Sequence, residues 1–222
     1  EEHYKTVNFS IKEAEKKISN HLKNIIVLYD SYKIFSIDIS IRRDFDQKVF
    51  FKDIYSSIIL EANQIIKNNY ANDRILHVVT VRNYIDGKEH FNKIKKDLKA
   101  KSIIVEIKFI CIPEEEFRKV LNVFKKNNLQ ILNFFCSSYV KSFFYLNSFN
   151  KNKLVNFLDI GFERTTLITF NNKKLIHIKN IPIGGNHITK DISKVLNIDY
   201  RKAEARKIKF SKNNEFKNNT KD

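Results

Sequence analysis

The stretch from residue 154 to residue 196 constrains this chain more than any other. Three short apolar runs, 154–160, 165–170 and 175–181, are separated by polar breaks, and Asn171-Asn172 suits a tight turn. Strands this short and close together bury an apolar face by pairing antiparallel with one another, as a β-meander. Gly184-Gly185-Asn186 then opens a helix that carries Ile188, Ile192, Val195 and Leu196 at helical spacing. The fold must therefore accommodate a bent β-ribbon that feeds a glycine-led helix.

The residues before it alternate between helical and extended patterns. Residues 10–22 are expected to be a helix capped by Ser10, with Ile11, Ala14, Ile18 and Leu22 on one face. An apolar strand at 25–29 and a strand of period two at 35–41 follow. Residues 51–66 read as a helix with a stripe of Ile54, Ile58, Ala62 and Ile65. A strand at 75–81 leaves through the Tyr84-Ile85-Asp86-Gly87 turn into a lysine-rich connection at 88–101. Next comes a β-branched strand at 103–112, and then a helix at 114–126 announced by Pro113. That helix has Glu114, Glu115 and Glu116 at its start and Lys125 and Lys126 at its end, which suits the helix dipole. A strand at 129–132, a helix at 137–146 and a last helix from about 199, with a polar frayed tail from Lys212, complete a mixed α/β chain. The texture changes around residues 147–152, where a domain boundary is expected.

Composition narrows the function. Lys plus Arg number 41 against 25 Asp plus Glu, a net charge of +16. The lysines are spread through every segment alongside many Asn and Ile residues, the pattern of an A+T-rich gene, and no arginine–aromatic cluster or recognisable module marks a nucleic-acid surface. No specific nucleic acid is expected as partner. Cys111 and Cys136 lie in apolar surroundings as reduced core thiols, and two cysteines with scattered histidines do not make a zinc site. No apolar run is long enough to cross a bilayer as a helix, and 131–146, broken by Asn133, Ser137, Ser138 and Lys141, is expected to be buried in a domain. A chain without Met is expected to be an internal fragment or a processed product.

The chemistry concentrates in the ribbon. Asp159 ends an apolar strand, where a carboxylate suits a hydrated magnesium ion, and Gly161 opens a tight turn whose amides suit a phosphate. Gly184 and Gly185 before a helix let main chain approach a nucleotide closely, and the helix N-terminus favours anions.

These pieces resemble the actin-like (ribonuclease H-like) ATPase superfamily and, within it, the bacterial cell-division FtsA family. The resemblance runs through Arg74-Ile-Leu-His-Val-Val, Tyr84-Ile-Asp-Gly87, Ser137-Ser138-Tyr139 and Leu158-Asp-Ile-Gly161. It continues through Ile181-Pro-Ile-Gly-Gly-Asn-His-Ile-Thr-Lys-Asp-Ile192 and Ala203-Glu-Ala-Arg-Lys207. It implies an actin-like fold with 1–23 and 99–150 as partial subdomain 1A, 24–98 as an inserted SHS2-type subdomain 1C, and 151–222 as the start of 2A. Asp159, Gly161, Arg164 and Thr165 would then form a phosphate-binding hairpin, with Asp159 toward the metal. Gly184 and Gly185 would face ribose and phosphates, with Glu204 and Lys207 beside the nucleoside.

ATP and Mg2+ are the implied cofactors. The implied partners are FtsZ, further copies of the chain in a filament, and other division proteins through 1C. The implied place is the cytoplasmic face of the inner membrane at the division site. The family's first phosphate hairpin would precede Glu1, and its FtsZ-receiving 2B subdomain and amphipathic membrane helix would follow Asp222. FtsA relatives continue the Asp-x-Gly turn with further glycines and a Thr, whereas Phe162-Glu163-Arg164 stand here. Bulk and negative charge in the cradle predict weak or absent nucleotide binding, with Arg164 as a compensating phosphate contact. No catalytic residue is expected, and an adaptor role is favoured over an active ATPase or chaperone, a basic nucleic-acid-binding protein or a pilus-assembly relative.

Overall fold

In the computed structural model, which describes residues 2–90, 94–95, 97–146, 148–149 and 154–218 (backbone alone at 2–4 and 212–218), one strand organises both cores. This strand, β5 (Lys99–Pro113), is nearly continuously apolar. Its side chains alternate between two faces, as a strand's must. Ile103, Val105, Ile107, Phe109 and Cys111 join one cluster, and Ile110 and Ile112 join the other.

The first cluster lies between a sheet and a helix. The antiparallel sheet has the order β2-β5-β3-β4 and is built from β2 (Phe35–Phe50), β3 (Asp73–Ile85), β4 (Lys88–Glu89) and β5. The helix is α2 (Phe51–Asn69), which contributes Phe51, Ile58, Ala62 and Ile66 to the core. The buried stripe thus departs from the expected one: Ile66 is buried while Ile65 is 36% exposed. Steps of three and four residues both fit a period of 3.6, and the position of β5 decides between them. β2 also runs well past the expected end at 41, through a bulge between Asp44 and Val49.

The second cluster joins the rest of the molecule. A parallel pair, β1 (Asn24–Tyr29) and β6 (Gln130–Cys136), leads into α4 (Ser137–Leu146). The meander β7 (Leu154–Ile160), β8 (Thr165–Asn171) and β9 (Lys174–Ile181) pairs antiparallel throughout, as the sequence implied. Cys136, Leu146, Ile168, Phe170, Leu175 and Ile178 meet Ile110 and Ile112 between these layers. Burying each large side chain of this kind contributes about 1.5–3 kcal/mol. α5 (Gly185–Leu196) and α6 (Tyr200–Asn218) pack on each other after the meander.

Two expectations about helix boundaries need correction. The first helix, α1 (Glu2–Ile18), spans earlier residues than 10–22, and Ser10 sits inside it with its hydroxyl bonded to the Thr6 carbonyl at 3.0 Å, so it caps nothing. The helical backbone of α6 continues to Asn218 instead of fraying at Lys212. The division at residue 98 falls just before β5, the central strand of the sheet that β2 and β3 belong to, and β1 pairs with β6 outside that sheet. The expected boundary at 147–152 lies mostly outside the described residues. Between Pro113 and Gln130, α3 (Glu114–Lys125) bears its acidic first turn and basic last turn as expected.

Candidate functional site

Parallel strands end side by side, and the crevice beyond their carboxyl ends is where open α/β folds place ligands. Here β1 and β6 end together at Tyr29 and Cys136. Asp30 follows the first, and Ser137-Ser138 follow the second as the start of α4. Facing them is the β7–β8 turn with Asp159, Gly161 and Arg164. A cleft of about 500 Å3 lies between, lined by Tyr29, Asp30, Glu116, Asp159, Phe162 and Arg164 among others.

The polar groups of this crevice satisfy one another. Arg164, only 7% exposed, pairs through Nη2 with Asp30 and bonds to the Ser138 hydroxyl at 2.8 Å. Its Nη1 donates to Asn180 Oδ1 at 2.8 Å. The Ser138 hydroxyl is also 2.8 Å from Asp30 Oδ2 and 2.9 Å from Asp159 Oδ2. Lys141 reaches Asp159 at 3.5 Å. The Ser138 amide points to Asp30 at 3.3 Å, so a carboxylate of the protein itself occupies the positive end of α4. Asn180 is held by the Thr166 hydroxyl at 2.8 Å and donates to the Ile34 carbonyl.

On the rim, Tyr29 donates to Glu116 at 2.7 Å and Lys33 does so at 2.9 Å. The tyrosine bond, with Lys33 behind it, holds the Glu116 carboxyl below its usual range despite partial burial. Burial first, and this bond second, push the Tyr29 phenol up.

The second half of the site is equally engaged. The Gly185 amide donates to Gly161 O at 2.9 Å, and the Asn186 amide to Phe162 O at 2.7 Å. The Gly184 amide goes to His187 Nδ1 at 3.1 Å. A side chain at Gly184 would place Cβ 2.5 Å from Gly161 O and 2.6 Å from both Arg164 N and Phe162 O. The close approach that Gly184 permits is thus to the β7–β8 turn. Gly185 has no such restriction, its nearest neighbours being 3.6 and 3.7 Å from a built Cβ. Thr165 Oγ1 donates to Ile183 O at 2.7 Å. Lys207 Nζ bonds Glu204 at 2.7 Å, Thr189 Oγ1 at 2.7 Å and Gly185 O at 3.1 Å. The Lys207 bond, then that of Thr189, lowers the Glu204 carboxyl.

The structure therefore gathers Asp159, Gly161 and Arg164 with Thr165, Gly184 and Gly185 around one turn, and sets Glu204 and Lys207 against α5. Arg164, the expected phosphate contact, is paired with Asp30. For the implied Mg2+ and ATP the donor set is ill suited. The first amides of α5 are bonded to protein carbonyls, and Asp159 is bonded to Ser138. Sequence reasoning missed Asp30, Lys141 and Asn180, and gave Ser138 no role. The rule that selected Asp159, a carboxylate just past an apolar strand, selects Asp30 equally well.

The model of the family "Cell division protein FtsA" matches residues 157–222. FtsA of Helicobacter pylori strain J99 is 29% identical over 159 residues, covering 68% of this chain and 31% of that protein. FtsA of Bacillus subtilis strain 168 is 28% identical over 146 residues, covering 66% and 33%. The chain is an FtsA-like protein.

The aligned part spans about a third of the length of these curated relatives. A solved PilM–PilN type IV pilus biogenesis complex superposes on this FtsA-like chain with a TM-score of 0.64 at 14% identity. It covers 93% of this chain and 56% of that one. At that identity the likeness concerns the fold, which is actin-like.

Proposed function

We propose that this FtsA-like chain is part of an actin-family cell-division adaptor that assembles with its own copies and links FtsZ filaments to the cytoplasmic face of the inner membrane. The observation that carries this reading is the similarity to FtsA over two thirds of the chain, on an actin-like fold. Its mode of action is binding and assembly rather than turnover, because Asp30 and Asp159 of the crevice are already committed to protein partners. The proposed inserted subdomain 1C comprises the β2-β5-β3-β4 sheet and α2, with its far limit at Pro113. The β1–β6 pair with α4 belongs to 1A, and the meander with α5 and α6 to 2A. The 1C sheet and helix supply contacts to neighbouring copies and other division proteins.

The test is co-sedimentation of the full-length protein with FtsZ and liposomes. Joint pelleting with both is expected. Failure to pellet with either, by protein that folds and assembles, sinks the adaptor role.

A further inference from the structure

We propose that Arg164 is a built-in cation that locks the β7–β8 turn onto the carboxyl ends of β1 and β6, so that the two walls of this cleft are held together without metal or nucleotide. The inference rests on the actin-like fold and on the crevice, not on the division role.

Crevices beyond the carboxyl ends of parallel strands are where open α/β folds seat ligands, and a charged ligand there needs opposite charge from the walls. Here both charges are covalently part of the chain. The anion is Asp30, seated at the amino end of α4 and receiving the Ser138 amide and hydroxyl. The cation is Arg164, which spans the gap to Asp30 and Ser138 from the opposite side. A planar guanidinium with several fixed donors can bridge a carboxylate, a hydroxyl and an amide oxygen simultaneously, which an ammonium cannot do with the same geometry. Its third partner, Asn180, belongs to β9, so one side chain ties β1, α4 and the meander together.

The rest of the site agrees with a turn held fast by protein groups alone. The turn carbonyls of Gly161 and Phe162 cap the first amides of α5, and Gly184 leaves no space for anything between turn and helix. A triphosphate would have to displace Arg164 from Asp30 and strip those carbonyls from the helix. It would also have to enter among Asp30, Asp159 and Glu163. Breaking a buried pair leaves an uncompensated charge, so such displacement is strongly opposed.

The test uses the full chain and the variants Arg164→Met, Asp30→Asn and the double variant. Thermal melting is followed with and without millimolar Mg–ATP, and amide exchange is followed at residues 28–32 and 160–166. Each single variant is expected to lose about 6–12 °C in Tm, and the double to lose much less than the sum of the two. Exchange is expected to rise at both segments together, and Mg–ATP to leave the unaltered chain's Tm unchanged.

Additive losses, faster exchange in one segment alone, or a Tm that climbs with Mg–ATP would each overturn the lock. Should Arg164→Met fail to fold, a double variant that folds supports the proposal, and one that also fails overturns it.

Discussion

Adjacent glycines in this chain have opposite requirements. At Gly184 a methyl group would fall 2.5–2.6 Å from three backbone atoms of the β7–β8 turn, none of which can swing away. Gly184→Ala should destabilise by about 1–3 kcal/mol, the range of a forced backbone shift. Gly185 begins α5 with ordinary contacts only, so Gly185→Ala should be neutral or stabilise by up to about 1 kcal/mol through the unfolded chain's lost freedom. Chemical denaturation of the two variants checks this, and equal losses would contradict the packing argument.

His77 offers a second residue-scale prediction. Burial lowers it to about 4, and its Nε2 accepts the Cys136 amide at 2.9 Å, which only the neutral ring can do. In the unfolded chain it takes up its proton near pH 6.5, so between these values the unfolded state binds more protons. Its contribution is complete above about pH 6.5 and is lost as pH falls toward 4, on the order of 2 kcal/mol after allowance for its partial exposure. His77→Gln should flatten the fall of Tm over that window. An unchanged profile would remove His77 as its cause.

Elements are fixed to one another by a few cross-strand and strand–helix contacts. Lys108 of β5 is nearly buried, and its Nζ lies 2.5 Å from Oδ1 of the exposed Asp38 directly across on β2. An ammonium in that place needs its partner, whereas an apolar side chain of similar length does not. Asp38→Asn should therefore cost about 1–2 kcal/mol, while Lys108→Met should be neutral or stabilising. Urea unfolding of both variants distinguishes the outcomes.

At the start of α3, Arg74 grips Glu114 with two bonds of 2.9 Å and lies 4.6 Å from the Phe117 ring. Pro113 and the three glutamates announced this helix in the sequence. Nothing local could announce Arg74, which arrives from β3, forty residues earlier.

The whole chain carries a net charge of +16, its lysines spread along every segment of the sequence. Like charges repel in the compact state, and salt screens them over about 8–10 Å. Tm should therefore rise by a few degrees between low and physiological ionic strength. Any association with DNA or RNA should be sequence-blind and vanish steeply over the same change. Saturable, sequence-selective binding that survives physiological salt would instead reveal a dedicated nucleic-acid surface. The charge is thus a property of the surface as a whole, while stability resides in the two cores on either side of β5. Truncating Phe170, fully buried in the second, should cost about 3–5 kcal/mol, and calorimetry of Phe170→Ala measures it.

The order of strands and helices was legible from periodicity because an element's apolar repeat is imposed by its own geometry and needs no distant information. So were the meander, the glycine-led helix and the resemblance that pointed to an actin-like fold. What the sequence left open is what period alone cannot settle: which of Ile65 and Ile66 turns inward, where β2 stops, and on which side of residue 98 the sheet closes. Those depend on the location of β5, a neighbour remote in sequence. The site divides in the same way. Asp159, Gly161 and the glycine pair announce themselves locally, as a carboxylate at the end of an apolar strand and as glycines at turns, of which only Gly184 leaves no room for a side chain. That Arg164 is bound to Asp30, more than a hundred residues upstream, is decided only when the meander docks against the ends of β1 and β6. Opposite charges on the two walls of the crevice then find each other.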